Sequence, residues 1–162
     1  MPWRRHSWQP HHHRPVTSPL DNASVSADLR ARIQDDPWAR SLGIQYLALG
    51  RGFCRLGLTL HPHMVNFLGH PHGGIIFSLA DIAFGAACNA QGEPAVALNM
   101  FISFITAVPA GSRLVAEARE IKQGGRAGFY HVSVMSEEGA LVAQVQCVAH
   151  RVSASPCRQP GD

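Results

Sequence analysis

The run from residue 73 to residue 90, GGIIFSLADIAFGAACNA, sets the tightest limit on how this chain can fold. Ile75, Ile76, Phe77, Leu79, Ala80, Ile82, Ala83, Phe84, Ala86 and Ala87 cover nearly every side of a helix, so the pattern predicts a helix buried all round rather than an amphipathic one. A membrane span is the other home for such a run. It is short for that, and Asp81 in its middle would cost about 2.5–3.5 kcal/mol at the bilayer centre. With polar strand patterns on both sides, the helix is expected in a protein core. A helix apolar on every side cannot lie on a flat sheet with water behind it, so the sheet must curl around it or a second subunit must cover it.

The flanking segments change period. In FCRLGLTL the apolar Cys54, Leu56, Leu58 and Leu60 share one face, and Gly50 and Gly52 supply the turn that pairs this run with IQYLAL. Beyond Gly92, Val96, Leu98, Met100, Ile102 and Phe104 alternate with Ala97, Asn99, Phe101 and Ser103, and Leu141, Ala143, Val145 and Cys147 alternate with Val142, Gln144 and Gln146. PAGS, QGGRAG and SEEG punctuate four strands, which predicts an antiparallel meander. Upstream, NASVSADLRARIQDDPWARSLG reads as a short helical segment with a polar cap, a break near Pro37 and a stop at Gly43. The predicted class is α+β, a curled antiparallel sheet of five or six strands around one long central apolar helix. The folded domain is predicted over residues 26–152, with a disordered basic arm at 1–25 and a flexible tail at 153–162.

Charge narrows the partners. Of 14 Lys and Arg, only Arg4, Arg5 and Arg14 lie among the first twenty residues, which leaves eleven basic and eleven acidic side chains for the rest. A domain so near neutrality is not built to hold nucleic acid. Cys54, Cys88, Cys147 and Cys157 form no CxxC pair, which argues against a zinc ribbon or disulfide framework and for a reduced, cytoplasmic setting. The opening MPWRRHSWQPHHHRPVTSPL lacks the apolar core of a secretory signal, and its His11, His12 and His13 are expected in a solvated arm.

Residues 61–81, HPHMVNFLGHPHGGIIFSLAD, hold the candidate chemistry. His61 with His63 and His70 with His72 form HxH pairs, yet each pair encloses a proline in a loop, so no strand ladder aims the rings; loop histidines bonded to backbone or water are the simpler reading. Asp81 on an apolar helix must be protonated or find a partner, because an ionised group in a dry interior costs several kcal/mol. Within its own turn of helix only Ser78 is polar. Asp81 is therefore either a structural carboxylate or a nucleophile or general base in a small cavity. His72, Gly73 and Gly74 open the helix, where unpaired N–H groups and a partial positive charge suit a developing oxyanion. They serve equally as a plain turn. Gly73 and Asp81 are separated by roughly 12 Å along one helix at 1.5 Å per residue, whereas both would have to sit about 3 Å from one reacting carbonyl. One chain cannot supply both, so a joint role demands two subunits about a two-fold axis.

The spacing N-x6-GG-x6-D, formed by Asn66, Gly73, Gly74 and Asp81, in register with HGG, FSLAD and CNAQG, resembles the hotdog-fold acyl-CoA thioesterases, most of all the phenylacetyl-CoA thioesterase family of bacterial phenylacetate degradation. The similarity spans about residues 26–152. It implies a dimer or dimer of dimers (a homotetramer) with sites at the subunit interface, and hydrolysis of aromatic or medium acyl-CoA to acid and CoA with no metal or redox cofactor. It implies that the Gly73 N–H holds the thioester oxygen, that Asp81 of the opposite subunit attacks the carbonyl or activates water, and that Asn66 orients carboxylate or water. His72 and Gly74 would lie against the substrate. Where relatives carry a Ser or Thr that assists the carboxylate, this chain has Gly85 or Ala97, and Asn99 is the substitute on offer. Phe77, Phe101 and Phe104 are candidates for the acyl pocket, and Lys122, Arg126 and Arg151 for the CoA phosphates. Two further functions fit the residues: a hotdog dehydratase or hydratase using His72 beside Asp81, and an acyl-CoA binding module without chemistry.

Overall fold

The structure, a computed structural model, describes residues 25–152. The readings on the histidine cluster of the arm and on the tail lie outside these residues. Val25, assigned to the arm, is buried at 5% and belongs to the folded part.

Two short helices come first. In α1 (Ala27–Gln34) the Ser26 hydroxyl accepts from the Leu29 N–H at 3.3 Å, with Asp28 in the first turn and Arg32 in the last. In α2 (Pro37–Ser41) the Asp36 carboxylate accepts from the Ala39 N–H at 2.8 Å, and Pro37 takes the first helical position, where its missing N–H costs nothing. Gly43, at φ +71°, then turns the chain into β1 (Gln45–Gly50), and Gly52, at φ +68°, closes the tight turn into β2 (Phe53–Thr59). After α3 (Gly73–Asn89) come β3 (Ala95–Phe104), β4 (Arg113–Gln123), β5 (Ala127–Ser136) and β6 (Leu141–Arg151).

The six strands form one antiparallel sheet in the order β1-β2-β4-β5-β6-β3. Such a sheet spans roughly 24 Å, while a helix with its side chains is about 10–12 Å across. Even so, α3 packs against every strand. The sheet therefore curls around the helix, as its apolar circumference requires.

Three features depart from the sequence pattern. The meander holds for β4, β5 and β6 only. β3 pairs with β6 at the sheet edge and β2 with β4, because residues 105–112 run along the end of the sheet instead of closing a hairpin. Within β3, Ala97 pairs with Ala149 and Asn99 with Val148, so Leu98 is a bulge that reverses the alternation. Val96 thus shares the outer face with Asn99, Phe101 and Ser103, while Met100, Ile102 and Phe104 face inward. Finally, α3 is not buried all round. Ile76, Leu79, Ala80, Ile82, Ala83, Phe84, Ala86, Ala87 and Cys88 are buried, but Gly74, Ser78, Asp81, Gly85 and Asn89, three or four residues apart, form one stripe that the sheet leaves open.

The far end of α3 is tied down by the CNAQG residues. Asn89 donates to the carbonyls of Gly85 (2.9 Å) and Ala95 (3.0 Å) and accepts from the Ala95 N–H (3.0 Å), binding the helix to the edge strand. Gln91 and Tyr130 both donate to Glu120, and Phe84 packs edge-on against Tyr130 with ring centroids 5.3 Å apart. These contacts anchor the helix to the sheet.

Candidate active site

The loop before α3 is closed by its own backbone. Val65 bridges Pro71, the His72 N–H donates to the Met64 carbonyl at 2.8 Å, and the Asn66 N–H donates to the His70 carbonyl at 2.7 Å. The Asn66 side chain accepts from the N–H groups of Leu68 (2.9 Å) and His70 (3.2 Å). Both partners are donors, so the atom they meet is the amide oxygen. The Asn66 NH2 is left with no acceptor among the described residues.

The same accounting isolates one N–H at the helix start. His72 caps α3: its Nδ1 accepts from the Gly74 N–H at 2.9 Å, and its carbonyl accepts from the Ile75 N–H at 2.9 Å. Gly74, expected against the substrate, therefore spends its N–H on the cap. The Gly73 N–H has no acceptor among the described residues, and it carries the share of helix charge left at that end. A Cβ at Gly73 would lie 3.1 Å from the Phe104 ring, so the glycine lets this half-exposed aromatic close against the helix start.

Eight residues on, Asp81 is half-buried on the open stripe and makes no hydrogen bond or ion pair among the described residues. Ser78, its one polar neighbour on the helix, does not bond it. Burial first, and then the negative charge of Asp36, push the Asp81 carboxyl above its ordinary range. It faces a cleft of about 600 Å³ bounded by Ile33, Trp38, Tyr46 and Gly85. A second cleft of about 460 Å³, with His72, Gly74 and Ser78, lies toward the helix start, and Trp38 borders both. Trp38, Tyr46 and Asp36 escaped sequence reading, because DDPW carries only the signal of a helix break.

The other predicted residues do not join this group within a protomer. Asn99 and Phe101 lie on the outer face of the sheet, beside a separate cleft of about 400 Å³ with Phe129 and Val148; the bulge at Leu98 put them there. Lys122 pairs with Phe129 on β5, and Arg126 sits with Arg151 in a cleft near Gly92, close to the far end of α3. Arg151 is engaged by Glu93 at 2.7 Å. His61 and His63 stack on each other at 5.7 Å, and among the described residues no three His, Cys, Asp or Glu side chains gather as metal ligands would. Burial pushes the Cys88 thiol up to about 11 and those of Cys54 and Cys147 up to about 12, so none offers a thiolate nucleophile near neutrality.

Residues 68–143 match the thioesterase superfamily. The acyl-coenzyme A thioesterase PaaI of Escherichia coli (strain K12) is 36% identical over 122 residues, 75% of this chain and 87% of that protein. The solved structure of the E. coli PaaI protein from the phenylacetic acid degradation operon superposes with a TM-score of 0.76 at 34% identity, covering 84% of this chain and 97% of that one. A variant of the phenylacetic acid degradation protein PaaI from Thermus thermophilus superposes with a TM-score of 0.70 at 35% identity, covering 72% of this chain and 100% of that one.

Proposed function

The chain belongs to the thioesterase superfamily and is an acyl-CoA thioesterase of hotdog fold, and from that premise we propose that it hydrolyses aryl-acyl thioesters of the phenylacetyl type at a site shared by two protomers. One observation carries the reading. Among the described residues the helix start offers an unspent N–H at Gly73 and the helix middle an unpaired carboxylate at Asp81, and the roughly 12 Å between them forbids their meeting within one chain. A two-fold partner supplies each with the other. The edge strand β3 supports such pairing, since it exposes Val96, Leu98, Phe101 and Phe104 at 50 to 65%. The place of the E. coli relative in the phenylacetic acid degradation operon supports the acyl group.

In this mechanism the thioester oxygen lies on the Gly73 N–H, which meets the negative charge that develops there. Asp81 of the second protomer either attacks the carbonyl carbon, giving an anhydride that water then opens, or removes a proton from the water that attacks. Either way the C–S bond breaks, one water is consumed, and the acid and CoA leave. The Asn66 NH2, with its donors unspent, orients carboxylate or water. Thiolate is a good leaving group, so the chemistry calls for no metal or redox cofactor.

The decisive experiment mixes two inactive variants. Asp81→Asn removes the carboxylate, and Gly73→Pro removes the N–H at the first helical position, where proline's fixed φ is accommodated and the half-exposed Phe104 ring must give by a few tenths of an ångström. Each alone should lose at least ~10³-fold in turnover. Refolded together at equal amounts, random pairing restores about a quarter of wild-type activity, because half the dimers carry one intact site of two. No recovery from a mixture shown to contain mixed dimers defeats the shared site. Trapping released thiol across an acyl-CoA panel, beside enoyl absorbance with a crotonyl substrate, sets hydrolysis apart from hydration and from binding alone.

A further inference from the structure

Gly85 stands one turn beyond Asp81, on the same side of α3 and in the same cleft. A glycine in mid-helix costs about 1 kcal/mol relative to alanine, so its absent side chain calls for a cause. At Gly73 the Phe104 ring is that cause. At Gly85 the described residues offer none: a Cβ built there meets nothing within 4 Å. The space above it is open to a ligand. Across the cleft stand Ile33, Trp38 and Tyr46. The Tyr46 hydroxyl donates to the Ile33 carbonyl at 3.0 Å, which locks the ring and leaves its apolar body toward the cleft. An acyl carbon held about 3 Å from Asp81 has its substituent directed either toward Ser78 and the helix start or along the helix over Gly85 and Ala86. Only the second course runs between a flat glycine–alanine surface and two aromatic side chains.

We propose that this slot is the acyl pocket, that it takes a planar aromatic acyl group, and that Gly85 sets the size it admits. The inference rests on the thioesterase reading and deepens it, by assigning the selectivity for the acyl group to one residue of α3 and to the α1–α2 segment over it.

Gly85→Ala and Gly85→Leu test it. A Cβ there enters open space and both side chains project into the cleft, so both variants should fold, which far-UV circular dichroism checks, and the alanine form should melt about 2–4 °C higher through its helix propensity alone. Gly85→Leu should lower kcat/KM for phenylacetyl-CoA by at least ~100-fold, the scale of losing several contacts in a filled pocket, while acetyl-CoA changes less than about threefold. Binding gives a readout that needs no hydrolysis. In an Asp81→Asn background, Gly85→Leu should weaken phenylacetyl-CoA by the same factor and leave free CoA untouched. Equal losses for every acyl-CoA, full phenylacetyl activity in the leucine form, or loss of the dimer on size-exclusion chromatography with light scattering would each overturn the pocket assignment. If wild-type protein hydrolyses nothing while the binding contrast holds, the hydrolase reading falls and the pocket stands.

Discussion

In its proposed role, Asp81 sets function against stability within a single residue. Its folded-state pKa is raised, so the folded chain holds the proton more tightly than the unfolded one. The group therefore favours folding below its ordinary value of 3.8 and loses that contribution as pH rises through the raised value. At neutral pH the ionised carboxylate is a net cost, and Asp81→Asn should melt no lower than wild type at pH 7, with the difference shrinking toward pH 3. The same change should cut kcat by at least ~10³-fold. A variant that is both inactive and clearly less stable at pH 7 would mean that Asp81 holds the fold through a partner. The activity of the wild type should rise with pH as this carboxyl ionises.

At the scale of elements, the site is an agreement between α3 and the short helices over its open stripe. Asp36 does two things there: it caps α2, and its charge raises the Asp81 pKa. The two are separable, because asparagine caps a helix about as well as aspartate. Asp36→Asn should leave the melting temperature nearly unchanged and move the acid limb of the kcat/KM profile to lower pH. An unmoved limb, or a shift upward, would remove Asp36 from the electrostatics of the site. A polar cap, the break at Pro37 and the stop at Gly43 were legible in sequence, since such signals act through nearest neighbours, whereas the second cap at Asp36 was not. The fold of α1 and α2 onto the stripe was not, because nothing in DDPW states which surface the Trp38 ring will meet.

At the scale of the whole molecule, the proposed two-protomer site calls for a partner, and one strand offers an edge for it. The edge strand β3 bears Leu98 at 62% exposure on the bulge, where a paired strand would cover it. Leu98→Lys places a charge on that edge and should yield a folded monomer, judged by far-UV circular dichroism and light scattering, with at least ~10²-fold less activity. A monomer of full turnover would end the two-protomer mechanism. The long apolar helix, the alternation of β2 and β6, the polar cap of the first helix and the spacing of Asn66, Gly73 and Asp81 were all legible in the chain, because hydropathy period and capping depend on residues a few positions apart. Folding in three dimensions fixed the rest: β3 lies beside β6, a bulge turns Asn99 and Phe101 outward, the His72 cap leaves the Gly73 N–H without an acceptor among the described residues, and Trp38 and Tyr46 stand across from Gly85. Those outcomes depend on contacts between segments distant in the chain, where local pattern carries no information about which surfaces will meet.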